Sequence, residues 1–209
     1  MIRNARTFAA AGLTLVVLLL VAAHPARSGS ADVEPGAFVH RMVADVAKNL
    51  AGDLERRERR ERFREMSGQY LALQQITRFV TGGYWGDATA AERRAFRKAF
   101  RELLRARFLP VLAKAADVRF DVAGSRRVQA GLWQVGLNVS QPGPKSETTR
   151  VGLRVMQTDA GLRVADVVTK GVSLGVTLRE EYTTFLERHD GDLTALTRRV
   201  RQRARDLNG

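Results

Sequence analysis

The sequence predicts an α+β fold, a four-stranded antiparallel sheet with amphipathic helices on one face that could enclose an apolar pocket. Apolar residues recur at the helical period of 3.6 over about residues 36–113, at a period of two over about 117–169, and at the helical period again over about 175–207. Helices and strands grouped in this way, rather than alternating, argue against a parallel βαβ sheet.

The N-terminal segment reads as an address rather than as part of the fold. Arg3 and Arg6 precede an uncharged run over residues 8–23, and Ala/Gly/Ser-rich sequence follows. This is the pattern of a secretory signal peptide over 1–31, with small residues at −3 and −1 for cleavage after Ala23 or after Ala31. The 16-residue run falls short of the roughly 20 residues of a spanning helix. A single domain over 32–209 is expected to remain, in the periplasm.

The elements of that domain follow in order. Val39, Val43, Val46, Ala47, Leu50 and Leu54 lie on one stripe of a helix. The stretch 54–65 is dominated by Arg and Glu, with Glu55–Arg59 and Glu58–Arg62 at the i,i+4 offset that supports a solvated helix. Phe63, Met66 and Tyr70, then Ile76, Phe79 and Val80, continue as short helical segments until Gly82-Gly83 interrupts them. Thr89 and Glu92 form a capping-box signature ahead of Phe96, Phe100, Leu103, Leu104, Phe108 and Leu112, with Pro110 expected to end or bend the last turn.

The strands are expected around Val118/Phe120/Val122, Trp133/Val135/Leu137/Val139, Val151/Leu153/Val155 and residues 162–169, with loops at Pro142-Gly143-Pro144 and Ala160-Gly161. Leu178, Tyr182, Phe185 and Leu186 restore the helical period. After Asp190-Gly191, Asp192 is placed to cap a last helix carrying Leu193, Leu196, Val200 and Leu207.

Composition narrows the chemistry. The 209 residues contain no cysteine, which removes disulfides, thiolate nucleophiles and Cys-ligated metals. A formal charge of +13 calls for anionic partners. Export argues against nucleic acid and toward membrane lipid or another envelope component. With His40 and His189 in different segments, no histidine-rich metal site can be assembled. No Walker loop or dinucleotide fingerprint occurs, and no cofactor is expected.

Gly171-Val172-Ser173-Leu174-Gly175 matches the nucleophile elbow of serine hydrolases and lies between a strand and a helix. Against that reading, His189 precedes its nearby acid Asp190, whereas the hydrolase order is acid then histidine. The expected sheet is also not parallel. The alternative is a turn made from two glycines and a serine. The apolar sheet face likewise has two readings, a filled core or a cavity for a hydrophobic ligand, and spacing alone does not separate them.

The segment Ile76-Thr77-Arg78-Phe79-Val80-Thr81-Gly82-Gly83-Tyr84-Trp85, with the helix from Glu92 to Leu104 after it, resembles the MlaC/toluene-tolerance family of periplasmic phospholipid-binding proteins. So does a second segment, Asp166-Val167 with Gly171-Val172-Ser173, followed by Arg179, Tyr182 and Phe185. The similarity spans about residues 38–205. Gly86 stands where the family commonly has Arg, and Tyr182 where it has Phe.

The resemblance implies a monomeric, non-enzymatic carrier. Its cargo would be a phospholipid, and its partners an outer-membrane lipoprotein complex and an inner-membrane ABC transporter with an MCE-domain protein. Its role would be to maintain the lipid asymmetry of the outer membrane. The pocket is then expected from Trp133, Val135, Leu137, Val139, Leu153 and Val155 together with Phe100, Leu104, Phe108, Tyr182 and Phe185. Arg150, Arg154 or Lys170 would meet the headgroup phosphate. The alternatives from other classes are an envelope adaptor with a filled core and a serine hydrolase using Ser173.

Overall fold

The structure is a computed structural model that describes residues 34–141 and 147–208. The expected signal peptide and the Pro142-Gly143-Pro144 loop lie outside the described residues.

Five α-helices come first: α1 (Pro35–Leu50), α2 (Arg56–Tyr70), α3 (Leu73–Thr81), the single turn α4 (Tyr84–Asp87) and the long α5 (Ala90–Leu112). Pro at the start of α1 suits the first turn, where its missing N–H is not needed. The charged and apolar stretches expected as separate helical segments form one helix, α2. Its buried side is Phe63, Met66, Ser67 and Tyr70, and its other face is almost wholly Arg and Glu. Of the two expected ion pairs, Glu58–Arg62 forms at 2.6 Å. Arg59 instead donates to the Gly52 carbonyl at 2.7 Å.

Helix α5 starts with the expected capping box. The Thr89 hydroxyl accepts from the Glu92 N–H at 3.2 Å, and the Glu92 carboxylate accepts from the Thr89 N–H at 2.8 Å, so two otherwise orphaned donors are satisfied. Pro110 does not end this helix, which runs on to Leu112.

The sheet is an antiparallel meander in the order β1 (Arg119–Gln129), β2 (Leu132–Ser140), β3 (Thr148–Thr158), β4 (Gly161–Thr169) and β5 (Val172–Ser173). It has five strands where four were expected. The fifth arises because Lys170 and Gly171 both adopt positive φ, 52° and 79°, and fold Val172–Ser173 back onto Val168–Thr169. Two such residues make the hairpin turn whose twist matches the flanking strands. The β3–β4 loop is Asp159-Ala160 rather than Ala160-Gly161. Thr158 pairs with Gly161, whose φ of 92° closes the turn.

Register decides the buried face. Trp133, Val135 and Leu137 lie opposite Val155, Leu153 and Val151, and Leu153 lies opposite Val167, so these side chains share one side of the sheet. The alternate set, including Gln134, Asn138, Arg150 and Arg154, belongs to the other side. Beyond the sheet, α6 (Leu174–Glu187) and α7 (Leu193–Asp206) close the chain. Asp192 caps α7 as expected, accepting from the Ala195 N–H at 2.9 Å.

The core is continuous between helices and sheet. Phe96 and Phe100 are fully buried and stack at 5.9 Å, with Tyr182 edge-on to both. Leu186, Leu196 and Val200 of α6 and α7 belong to the same core.

Candidate functional site: an apolar cavity between helices and sheet

The helices do not fill the whole space over the sheet. A cavity of about 210 Å³, open to solvent, remains between α1, α2 and α5 on one side and β3, β4 and the start of α6 on the other. Met42, Val46 and Leu50 line it from α1, Phe63, Met66 and Tyr70 from α2, and Phe100, Leu104, Phe108 and Leu112 from α5. Leu153, Val164 and Val167 line it from the sheet, and Leu174 and Leu178 from α6. Side chains of one helix reach the cavity together because i,i+3 and i,i+4 positions share a face, as Phe100, Leu104 and Phe108 do.

The polar groups on this wall are engaged elsewhere. The Ser67 hydroxyl donates to the Arg64 carbonyl at 2.8 Å. The Tyr70 hydroxyl donates to the Asp45 carboxylate. Burial, reinforced by that bond and by the Asp45 charge, pushes the Tyr70 phenol up to about 12. The Asp166 carboxylate accepts from the Ser173 hydroxyl at 2.6 Å and from the Gly175 N–H at 2.8 Å. A wall whose polar atoms are already satisfied can hold an apolar ligand without leaving a buried donor or acceptor unpaired.

Of the pocket residues expected from sequence, Phe100, Leu104, Phe108 and Leu153 come together in this cavity. Val135 and Val155 are fully buried in the core, and Trp133 and Val139 are half-buried against it. Leu137 lines a smaller cavity of about 150 Å³ between α1 and strands β1 and β2. Tyr182 sits in the aromatic cluster behind Phe100. Phe185 stacks on His189 at 3.9 Å and lies beneath Arg199.

The three basic residues expected at the headgroup do not line the cavity. Arg150 and Arg154 are on the alternate side of β3, where the Arg154 Nε is 3.7 Å from Asp166, and Lys170 is in the β4–β5 turn. Sequence reading did not place the walls from α1, α2 and β4 at the site. Their signal was present as the apolar stripe Val46, Leu50, Phe63, Met66 and Tyr70, but it marks burial and not what the buried face meets.

Ser173 is built as a helix cap. Its hydroxyl accepts from the Val176 N–H at 3.0 Å while donating to Asp166. His189 lies past the other end of α6, a helix of 14 residues and hence about 21 Å long, with its Nδ1 2.8 Å from the Phe185 carbonyl. A base at that distance cannot activate the serine. Gly175 belongs to the same device, because a Cβ there would approach the Asp166 carboxylate to 3.1 Å. Among the described residues, no group of three or more His, Asp or Glu could hold a metal ion, and no helix is long and apolar enough to cross a membrane.

An open antiparallel sheet with helices over an apolar, solvent-connected cavity defines an α+β fold. The chain belongs to the MlaC protein family, whose model matches residues 38–202. Its fold is also similar to that of a phospholipid-binding protein from Ralstonia solanacearum, solved in complex with a phospholipid. The two share 20% identity with a TM-score of 0.70, over 83% of this chain and 98% of that one. No curated protein matches the chain.

Proposed function

We propose that this protein is a periplasmic lipid carrier that binds the acyl chains of a glycerophospholipid without chemically altering it. The observation that carries the reading is the apolar cavity, whose lining polar groups already have partners within the protein. Membership of the MlaC family and the likeness to a protein solved with a phospholipid support it.

Physics gives the reading its force. Two acyl chains carry roughly 30 methylenes, and at about 0.8 kcal/mol each their exposure to water would cost on the order of 20 kcal/mol. A carrier offsets this only by enclosing the chains. The cavity of about 210 Å³ is below the roughly 300–1,000 Å³ of pockets for drug-sized ligands, so loading two chains goes with outward movement of a wall. Release then requires a partner that receives the chains without exposing them.

On this reading the carrier moves its lipid between an outer-membrane lipoprotein complex and an inner-membrane ABC transporter with its MCE-domain partner, maintaining outer-membrane asymmetry. The signal peptide over 1–31 delivers it to the periplasm, where it acts as a monomer. The test is transfer of a fluorescent phospholipid between donor and acceptor vesicles. The carrier speeds transfer in proportion to its concentration, and a protein without lipid-carrying capacity leaves the spontaneous rate unchanged.

A further inference from the structure

We propose that a second cleft, between α2 and α5, binds a phosphate group, and that this is the headgroup phosphate of the amphiphile whose chains occupy the apolar cavity. The inference rests on the carrier reading and goes beyond it by assigning the headgroup site.

The cleft measures about 190 Å³ and is walled by Arg60 and Arg64 of α2 and by Arg101 and Arg105 of α5. Each pair is spaced i,i+4, so each helix turns both guanidinium groups to one side. Two carboxylates, Glu61 and Glu102, also line the cleft, and both are engaged: Glu61 accepts from the Arg57 Nε at 3.2 Å and Glu102 from the Arg105 Nε at 2.9 Å. Among the described residues, Arg60, Arg64 and Arg101 make no ion pair. The Arg101 Nε is moreover buried without any hydrogen-bond partner. Arg59 and Arg154 carry a buried Nε without a hydrogen-bond partner outside the cleft as well, so it is the gathering of three arginines without an ion pair in one cleft that offers donors to an anion. Guanidinium forks match the oxygens of phosphate, and the three arginines without an ion pair, Arg60 and Arg64 on α2 and Arg101 on α5, can engage it from both helices.

The position of the cleft names the source of that phosphate. Phe63 lines both the cleft and the apolar cavity, so the cationic wall and the hydrocarbon wall are separated by one side chain. That juxtaposition fits a molecule with a phosphate head and an apolar body. A free phosphate would use the cleft and ignore the cavity.

The test is competitive loading of the purified protein with phosphatidylglycerol and diacylglycerol of identical chains, read by native mass spectrometry. Wild type is expected to favour the phospholipid by about tenfold or more, as loss of charge-assisted hydrogen bonds would imply. Arg64→Ala/Arg101→Ala is expected to bring the ratio near parity with diacylglycerol uptake intact, which shows that the variant is folded. Arg64→Lys/Arg101→Lys, which keeps the charge and loses the fork, should fall between. An unchanged preference in the alanine variant overturns the proposal, as does equal loading of the two lipids by wild type, which leaves the carrier reading standing. Inorganic phosphate binding that the alanine variant abolishes, without any change in lipid preference, assigns the cleft to a free anion and overturns the headgroup assignment. Failure of wild type to load either lipid overturns both readings.

Discussion

Arg179, early in α6, donates its Nη1–H to the backbone carbonyl of Phe79 at 2.6 Å, and its guanidinium lies over the Phe79 ring, 5.1 Å from the centroid. The bond joins the end of α3 to α6 across 100 residues. It also explains Gly82, which follows α3 with a φ of 60°. A Cβ at that position would meet the Arg179 Nη2 at 3.3 Å and the Thr183 Cγ2 at 3.2 Å. The two segments that carry the family resemblance are thus one contact in space.

Arg179→Ala removes a charge-assisted hydrogen bond and a cation–π contact, and an expected loss of about 1–3 kcal/mol follows. Urea unfolding of the variant measures it. Gly82→Ala should lose a comparable amount through the strained φ and the crowded Cβ, and the double variant should lose less than the sum, because the crowding against Arg179 is shared while the φ cost is not. Full additivity would show the sites to be independent.

Ser173→Ala takes away the α6 cap and the donor to Asp166, and should cost about 1–2 kcal/mol in the same assay. Wild-type Ser173, serving as a cap held by Asp166 and with His189 at the far end of α6, is expected to leave a fluorophosphonate probe unreacted. Labelling at Ser173 would show a reactive nucleophile rather than a helix cap.

How much of this was legible in the sequence depended on the range of the interaction that decides it. The change of apolar period from 3.6 to two located the helices and the long strands, because each period is dictated by local geometry. The strand β5 was not legible, since it is two residues long and exists only through the positive φ of Lys170 and Gly171. The cavity was half legible. Periodicity puts Phe96, Phe100 and Phe108 on one side of α5, yet Phe96 is closed in by Trp85 and Tyr182 while Phe108 faces open space. That difference belongs to the partners across the gap and leaves no mark on the helix itself. The roles of Arg150 and Arg154 turned on strand parity, which places them opposite in direction to Leu153.

Leu153→Asp tests the choice of wall. The side chain comes from β3 into the apolar cavity, where an unpaired carboxylate would be costly. The folded variant is expected to lose bound lipid, and unchanged occupancy would mean that this wall does not hold the chains.

The Tyr70 phenol provides a pH prediction. Its pKa is raised to about 12 from an ordinary value of about 10, so the folded state holds the proton more tightly than the unfolded one. The stability this contributes is complete below about pH 10 and is lost as pH rises toward 12. Tyr70→Phe should therefore flatten the fall in stability over that range. An identical fall in the variant would detach Tyr70 from it.

The central claim is that this fold carries lipid, and native mass spectrometry of the protein purified without detergent tests it most directly, with organic extraction to identify what is released. The expected result is one phospholipid per chain, held through purification and exchangeable with added lipid. A folded protein that arrives empty and takes up no lipid when offered it would contradict the claim and leave an envelope adaptor with a closed core in its place.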